Sequence, residues 1–148
     1  KFIINKNKFK FKKLIFMFQK ELADRILAKV NSSNYGRFSI LANWKFNIEK
    51  IIDIKPNSFL PKPKVSSSLL IFNPKTPLIN FNNPENLEYL TKIFFNQRRK
   101  KIKKPINILF KNSLDISKKL KLNLDLRPQN IPPEVFYQLT KEYENLRS

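Results

Sequence analysis

The sequence predicts an α/β fold in which a small layered sheet is followed by a region built of helices alone. Short apolar runs between residues 14 and 72 have the length of strands and are interrupted by segments with helical periodicity. Strand signals fade after the proline-bearing stretch 73–77, and later apolar residues recur at helical spacing. With 148 residues, of which 41% are hydrophobic, the chain is large enough to bury a core.

Three strands and two helices are predicted in the first half. The continuous apolar run 14–18 is typical of a strand buried on both faces, as in parallel sheets. Residues 20–29 and 35–46 show helical spacing, and the first of these segments is amphipathic. Residues 48–54 and 67–72 predict two more strands. These two should pair antiparallel, because the loop between them is too short for a crossover helix.

A long helix is predicted early in the second half. Asn83 and Pro84 are residue types favoured at a helix start, and an apolar stripe follows over residues 87–94. The helix is expected to continue into the basic segment 96–104 and to end at Pro105, since proline disrupts a helix interior.

The end of the chain is also predicted to be helical. Two short helices are expected near residues 106–111 and 114–120, and Pro133 has the residue type favoured at the start of a last helix. The shift from strands to helices predicts two domains, with boundaries 1–74 and 75–148. The last helix has an apolar face formed by Val135, Phe136, Leu139, Tyr143 and Leu146.

Positive charge dominates the composition. Thirty Lys and Arg residues face eleven Asp and Glu, for a formal net charge of +19. Such a surplus implies a polyanionic partner, most simply nucleic acid, because cations placed on phosphates release condensed counterions. Membrane attraction is the competing explanation, but the longest apolar run, 14–18, is too short to span a bilayer. We therefore expect a soluble protein and predict no membrane partner. A cytoplasmic location and a monomeric state are separate predictions.

Several kinds of active site are excluded by composition. The chain has no Cys and no His, so it cannot form a usual zinc site, a thiolate nucleophile, a disulfide or a Ser-His-Asp triad. Its single Gly does not allow a glycine-rich nucleotide-binding turn. We predict no metal, catalytic or cofactor-binding residue in this chain. Residues 1–13 are interpreted as the end of a helix whose start lies elsewhere.

The loop 59–67 is the first candidate site. Its two alternate prolines, Pro61 and Pro63, hold the backbone extended and remove two amide donors. Phe59 and Lys64 offer an aromatic face and positive charge together, which suits an unstacked base beside its phosphates. The alternative is an ordinary proline-rich connection in which Phe59 fills the core.

The basic cluster is the second candidate site. Residues 96–104 contain six cations among nine residues. Planar guanidinium and amide groups can hold phosphate and sugar hydroxyl groups in fixed geometry, which favours RNA binding. A solvated helix face or an import signal is the alternative. The residues expected to bind RNA are Gln97, Arg98, Arg99, Lys100 and Lys101.

Four motifs in register resemble the ribosomal RNA adenine dimethyltransferase family over nearly the whole chain. They are Phe18-Gln19-Lys20-Glu21, Tyr35-Gly36-Arg37-Phe38-Ser39, the loop at Phe59, and Phe95-Asn96-Gln97-Arg98-Arg99-Lys100, with Leu126-Arg127-Pro128 before the last helix. The resemblance implies the C-terminal edge of a Rossmann-like methyltransferase sheet followed by a small helical domain. In that fold the last three strands lie side by side.

The resemblance also implies an activity for the full-length protein. Members of this family dimethylate two adjacent adenines of small-subunit (16S-type) rRNA in ribosome biogenesis, with S-adenosylmethionine as methyl donor and a flipped base as acceptor. Phe59 matches the aromatic residue that packs against that adenine. Lys64 and Ser67, with Pro61 and Pro63, match residues that support its loop. The implied partner is small-subunit rRNA in a pre-30S-type particle.

The chain departs from the family in ways that affect function. The glycine-rich cofactor turn and the Asn-Leu-Pro-Tyr segment that orients the adenine are absent, so this chain alone is expected to be inactive. Lys62 stands where the family more often has Pro, and Pro105 interrupts a segment that is helical elsewhere. The alternative function is a non-catalytic RNA-binding or ribosome assembly protein. A basic membrane-surface protein is a third possibility.

Overall fold

The computed structural model describes residues 11–147, which form a three-stranded sheet and six α-helices. The predicted mixture of sheet and helix is confirmed. The strands are β1 (Leu14–Gln19), β2 (Phe46–Ile54) and β3 (Ser67–Pro74), in the order β1-β3-β2. The helix end predicted for residues 1–13 lies outside the described residues, apart from 11–13, which are not helical.

The pairing of β2 with β3 is antiparallel, as the short loop between them predicted. The register places Ile54 opposite Ser67, so residues 55–66 form the hairpin loop that carries Phe59. β1 also pairs antiparallel, on the other side of β3. The predicted side-by-side arrangement of the three strands is therefore confirmed.

The prediction that β1 is buried on both faces is wrong within the described residues. β1 forms an edge of the sheet, and Ile15 and Met17 are 55% and 52% exposed. Ile52 of β2, opposite Leu69 in the register, is 54% exposed on the same face. An uninterrupted apolar run also fits an edge strand whose inner side chains pack and whose outer side chains do not, because strand side chains alternate between faces.

The helices α1 (Lys20–Ile26) and α2 (Arg37–Lys45) are shorter than predicted. The start of α2 is set by Ser39, whose hydroxyl accepts a hydrogen bond from the Gly36 amide (3.0 Å) and donates one to the Gly36 carbonyl (2.8 Å). Tyr35 stays outside the helix because its hydroxyl donates to the Ile131 carbonyl at 2.8 Å in the interior. The helix therefore begins two residues later than the apolar spacing indicates.

A small hydrophobic core lies between the sheet and the first two helices. Phe72 is at its centre, with ring centroids 5.7 Å from Phe16 and Phe46 and 6.1 Å from Phe18. The edge-on and tilted ring arrangements are those that aromatic pairs prefer. The buried members of this core are Ala23, Ile26, Ala42, Phe46, Leu70 and Phe72.

The second half contains α3 (Glu85–Asn96), α4 (Lys103–Leu109), α5 (Ser113–Lys119) and α6 (Pro133–Asn145). The Asn83 side chain accepts a hydrogen bond from the Glu85 amide at 3.0 Å, which satisfies one donor at the start of α3. Pro133 opens α6 as predicted. The predicted apolar face of α6 is correct for Phe136, Leu139 and Tyr143, which are buried, but Leu146 is exposed.

A larger core joins these helices to α2. Trp44 is buried, and its indole N–H donates to the Ile79 carbonyl at 2.9 Å. The Tyr137 hydroxyl donates to the Ile40 carbonyl at 2.9 Å. This core contains buried residues from both sides of residue 74. A shared core does not test where two domains would divide, so the boundary between 1–74 and 75–148 stays a prediction. No helix within residues 11–147 is long and apolar enough to cross a membrane.

Candidate nucleic-acid interface

The hairpin loop presents Phe59 at the protein surface. A short 3-10 turn, Pro56–Ser58, precedes it, and the Phe59 amide donates to the Pro56 carbonyl at 3.2 Å. The ring is half-buried and belongs to neither of the two hydrophobic cores formed by the described residues. The neighbouring Leu60 is fully exposed. This placement disfavours the alternative in which Phe59 fills the core, and the stacking role of Phe59 stays a prediction.

The predicted supporting residues occupy different positions around the loop. Pro61, which follows a cis peptide bond, and Lys64 are exposed, whereas Pro63 is half-buried. Ser67 begins β3 and pairs with Gln19 on one side and Ile54 on the other. Ser67 therefore lies at the base of the loop, and the supporting role of all four residues stays a prediction.

A charged network holds the base of this loop. Asp53 at the end of β2 accepts a hydrogen bond from the Ser68 hydroxyl at 2.6 Å, and the Lys50 ammonium lies 2.9 Å from its other oxygen. Lys20 at the start of α1 lies 3.5 Å from the same carboxylate, and its backbone amide donates to the Ser66 carbonyl at 2.9 Å. Three elements are thereby joined directly beneath the loop that carries Phe59.

Acid is expected to weaken this network. The pKa of the Asp53 carboxyl is lowered from 3.8 to about 2. The hydrogen bond from the Ser68 hydroxyl is the largest cause, and the hydrogen bond from Lys50 is the next. Because the folded-state pKa is depressed, the stabilisation is complete above the ordinary value and is lost as the pH falls towards the folded-state value. We expect Asp53→Asn to reduce the acid dependence of the free energy of unfolding, measured with denaturant at several acidic pH values. A variant as acid-sensitive as the parent would contradict this assignment.

The basic cluster is not the helix that the sequence predicted. α3 ends at Asn96, and residues 97–100 form a turn closed by the Lys100 amide donating to the Gln97 carbonyl at 2.9 Å. Pro105 does not end a helix; it is buried in the first turn of α4, where an amide donor is not needed. The cations at 98–100 therefore lie in a turn and not on one face of a helix.

The side chains of this turn differ in their surroundings. Gln97, Arg99 and Lys100 are exposed, whereas Arg98 is half-buried. Lys101 donates to the Asp125 carboxylate at 2.7 Å, and this hydrogen bond lowers the pKa of Asp125. Lys101 is thus partly neutralised, and the exposed cations of the turn offer the stronger attraction for an anion.

Arg98 lines a depression of about 430 Å³ together with Arg25 of α1 and Arg37 of α2. Its guanidinium donates to the Ser32 carbonyl at 3.3 Å. The other two arginines each have one carboxylate partner, at 2.6 Å for Arg25 with Glu21 and 3.7 Å for Arg37 with Glu88. Since a guanidinium carries five N–H donors, all three retain donors for a further anion. We call this depression the arginine pocket.

The arginine pocket also contains an unsatisfied donor. The Arg37 Nε–H is buried and has no hydrogen-bond partner among the described residues. A buried donor without an acceptor is destabilising, and the exposed N–H groups of the three guanidiniums can make charge-assisted hydrogen bonds to phosphate oxygens. The side chains of the pocket thus favour a phosphate-bearing ligand.

Sequence reasoning missed Arg25 and Arg37 as site residues. Arg37 lies within one of the motifs on which the family resemblance is based. Its place in that motif could have marked Arg37 as a site residue. Arg25 lies among the alternating charges of an amphipathic helix and gives no such signal. Phe59 does not line the arginine pocket or the depression beside it that Arg99 and Lys100 line.

The single glycine of the sequence does not form a nucleotide-binding turn. Gly36, the single glycine, has an extended backbone, and a Cβ at this position would meet the Phe95 ring at 3.8 Å. This glycine packs a helix start against an aromatic ring and does not open a cradle for a ligand. Within residues 11–147, no three His, Cys, Asp or Glu side chains lie together as metal ligands.

Two curated relatives match the chain strongly. The ribosomal RNA small subunit methyltransferase A of Pelagibacter ubique (strain HTCC1062) is 53% identical over 148 residues, covering 99% of this chain and 56% of that protein. The protein of the same name from Borreliella burgdorferi (strain ZS7) is 42% identical over 130 residues, covering 87% of this chain and 46% of that protein. The chain thus spans about half the length of these relatives.

Solved structures confirm the fold. A crystal structure of a dimethyladenosine transferase from Plasmodium falciparum superposes with a TM-score of 0.80 at 26% identity, covering 97% of this chain and 61% of that chain. The 23S rRNA methyltransferase ErmE superposes with a TM-score of 0.58 at 16% identity, covering 90% of this chain and 55% of that chain. At this identity the likeness shows a common fold and nothing more. The described sheet and helices therefore correspond to part of a Rossmann-like methyltransferase.

The family resemblance inferred from the four motifs is confirmed by a direct match. A family model described as ribosomal RNA adenine dimethylase matches residues 1–145. The match includes the loop at Phe59, the arginine pocket and the basic turn. The chain belongs to the ribosomal RNA adenine dimethylase family.

Proposed function

We propose that this chain is the RNA-facing part of an enzyme that dimethylates two adjacent adenines of small-subunit rRNA during ribosome biogenesis. The observation that carries this proposal is the convergence of Arg25, Arg37 and Arg98 on one pocket, in a chain that matches the dimethylase family over residues 1–145. The named function of the relatives, methylation of small-subunit ribosomal RNA, supports the choice of substrate.

In this proposal the two parts of the interface have separate tasks. The arginine pocket and the basic turn hold the phosphates of the RNA, because guanidinium groups match phosphate oxygens in bidentate geometry. Phe59 packs against the adenine once it has been extruded from the RNA stack. The network around Asp53 keeps the base of the Phe59 loop fixed. RNA grip and adenine placement thus reside in different elements.

S-adenosylmethionine is the methyl donor in the proposed reaction. Its binding is assigned to the half of the relatives that this chain does not match, and the absence of a glycine-rich turn from the given sequence supports this assignment. The assembling small subunit in the cytoplasm is the proposed site of action. That the protein acts as a monomer stays a prediction.

A non-catalytic RNA-binding or assembly protein is the second candidate function. The cations of the arginine pocket and the basic turn support it, because they can hold RNA without a methyl donor. Both candidates require the same RNA interface. They differ in whether methyl groups are transferred when the cofactor is supplied.

RNA binding tests what both candidates share. We expect Arg37→Ala and Arg98→Ala each to weaken binding of a small-subunit rRNA fragment about tenfold and to lower the salt slope by about one, because each removes one phosphate contact. Lys92→Ala is the matched control, since Lys92 is exposed on α3 and does not line the arginine pocket. Fluorescence anisotropy at several salt concentrations gives both quantities. Equal effects of all three variants would contradict a localised interface.

A further inference from the structure

The arginine pocket is one end of a continuous series of surface depressions. It shares Phe95 and Arg98 with the depression over the basic turn. That depression shares Gln97 and Lys100 with the next, which also contains Lys101, Lys103 and Lys104. A cationic path therefore leads from α1 and α2 along the start of α4.

This path ends in a cleft with different chemistry. The cleft has a volume of about 610 Å³ and shares Asn107 and Ile108 with the preceding depression. It lies between α4, the turn before α5 and the end of α6. Its walls include the exposed apolar side chains of Ile108 and Leu146, with Lys111 and Arg147 also lining it. An apolar cleft at the end of a row of cations suits a flat, neutral group attached to an anion.

Arg147 is held in a position suitable for stacking. Its guanidinium lies over the Tyr143 ring, 4.4 Å from the centroid, while the residue remains exposed. Tyr143 is itself buried and fixed by rings on two sides, with centroid distances of 6.0 Å to Tyr89 and 6.4 Å to Phe110. A guanidinium with one face on a fixed ring offers its other face to a planar ligand without further ordering. Unpaired RNA bases stack on arginine planes in this way.

The cleft also contains polar groups that can contact a base edge. Asn112 donates to the Asp115 carboxylate across the turn, and both side chains are exposed at the cleft. An amide and a carboxylate together accept hydrogen bonds from amino groups of bases. A fatty acyl chain or an apolar peptide would leave these groups and the neighbouring cations unused.

We propose that this cleft binds one unpaired nucleotide of the same RNA strand that crosses the arginine pocket. The base stacks on the outer face of Arg147 against Ile108 and Leu146, and its phosphates lie near Lys104 and Lys111. The proposal rests on the proposed function, because it extends the RNA interface from the basic turn across α4 to the end of α6. The RNA must then have an unpaired nucleotide separated from the phosphates held in the arginine pocket by the length of this path.

Substitutions at Arg147 test the stacking directly. We expect Arg147→Ala to weaken binding of the small-subunit rRNA about tenfold, the loss typical of one base stack. Arg147→Lys should weaken it nearly as much, because lysine keeps the charge and loses the plane. Lys92→Ala and Arg37→Ala serve as negative and positive controls. Arg147 is an exposed residue beyond the last turn of α6, so these variants are expected to fold.

Four outcomes separate the possibilities. Loss in both Arg147 variants supports the proposal, and crosslinking from a photoreactive residue at position 108 to one unpaired nucleotide would identify the ligand. Full binding by Arg147→Lys would overturn the stacking. Full binding by all Arg147 variants, with loss in Arg37→Ala, would overturn the cleft and leave the proposed function intact. If Arg37→Ala also left RNA binding unchanged, both the cleft and the proposed function would be overturned.

Discussion

Replacing Phe59 with alanine in the full-length protein is expected to slow methyl transfer about 30-fold, because base stacking on an aromatic ring contributes about 1–3 kcal/mol. RNA affinity should stay within about twofold of the parent, because the free energy spent in unstacking the adenine from the RNA offsets its stacking on Phe59 in the bound state. The half-buried ring lies outside both described cores, so its loss should change the fold little. Single-turnover methylation and equilibrium RNA binding measure the two quantities separately.

Two other replacements of Phe59 and one replacement of its neighbour serve as controls. Phe59→Tyr keeps the ring and should retain most of the activity, whereas Phe59→Leu keeps apolar volume without a flat face and should behave like alanine. Leu60→Ala removes a fully exposed apolar side chain from the same loop and should have no effect. If Phe59→Leu methylated as fast as the parent, the ring would have a packing role only and the adenine would be held elsewhere.

The strand pairing was predictable because local features determine it. Residues 55–66 are too few to hold a crossover helix, so β2 and β3 have to form a hairpin. The exposure of β1 was not predictable in the same way. An apolar strand has the same composition at the centre of a sheet and at its edge, and only the strand order shows that β1 has one neighbour among the described strands.

The helix ends depended on single contacts that composition does not reveal. The Ser39 hydroxyl sets the start of α2, and the buried Tyr35 hydroxyl keeps that residue outside the helix. Pro105 was interpreted as a stop because proline disrupts helix interiors. It lies instead in the first turn of α4, where proline is well tolerated, and the chain turns before it at residues 97–100.

The candidate site was predictable where its residues are adjacent in sequence. The basic turn and the Phe59 loop are local features, and both are at the surface of the structure. The arginine pocket is assembled from distant parts of the chain, with sixty residues between Arg37 and Arg98. Such a site becomes visible only when α2 packs against α3, which places the start of one helix beside the end of the other.

The packing of α3 depends in turn on a buried carboxylate. Glu144 of α6 is 5% exposed and accepts hydrogen bonds from the backbone amides of Asn82 at 3.0 Å and Asn83 at 2.8 Å. The Asn86 side-chain amide donates to it at 3.2 Å. These donors lie at and just before the first turn of α3, where amides have no partner within the helix. Glu144 thereby fixes the end of α6 to the start of α3.

Replacing Glu144 with alanine is therefore expected to lower the free energy of unfolding by about 3 kcal/mol, because three part-buried hydrogen bonds to one charged, buried acceptor are lost at once. Glu144→Gln should cost less, since the amide oxygen still accepts. The matched control is Glu142→Ala, which removes a carboxylate from the same helix whose partner, Lys119 at 2.7 Å, is exposed, and should cost no more than about 1 kcal/mol. Urea denaturation of the three variants gives these differences.

The pH dependence of the Glu144 effect distinguishes a charged acceptor from a simple loss of packing. Burial tends to raise the pKa of this carboxyl, but the hydrogen bonds from Asn83, Asn82 and Asn86 outweigh it and hold the pKa below its ordinary value. A depressed folded-state pKa means that the stabilisation is complete above the ordinary carboxyl value and is lost as the pH falls through the folded-state value. The difference between the parent and Glu144→Ala should therefore shrink on acidification. A difference that stayed constant would show that Glu144 acts by filling space, and the position of α3, with Arg98 beyond its end, would then have to be set by the apolar core alone.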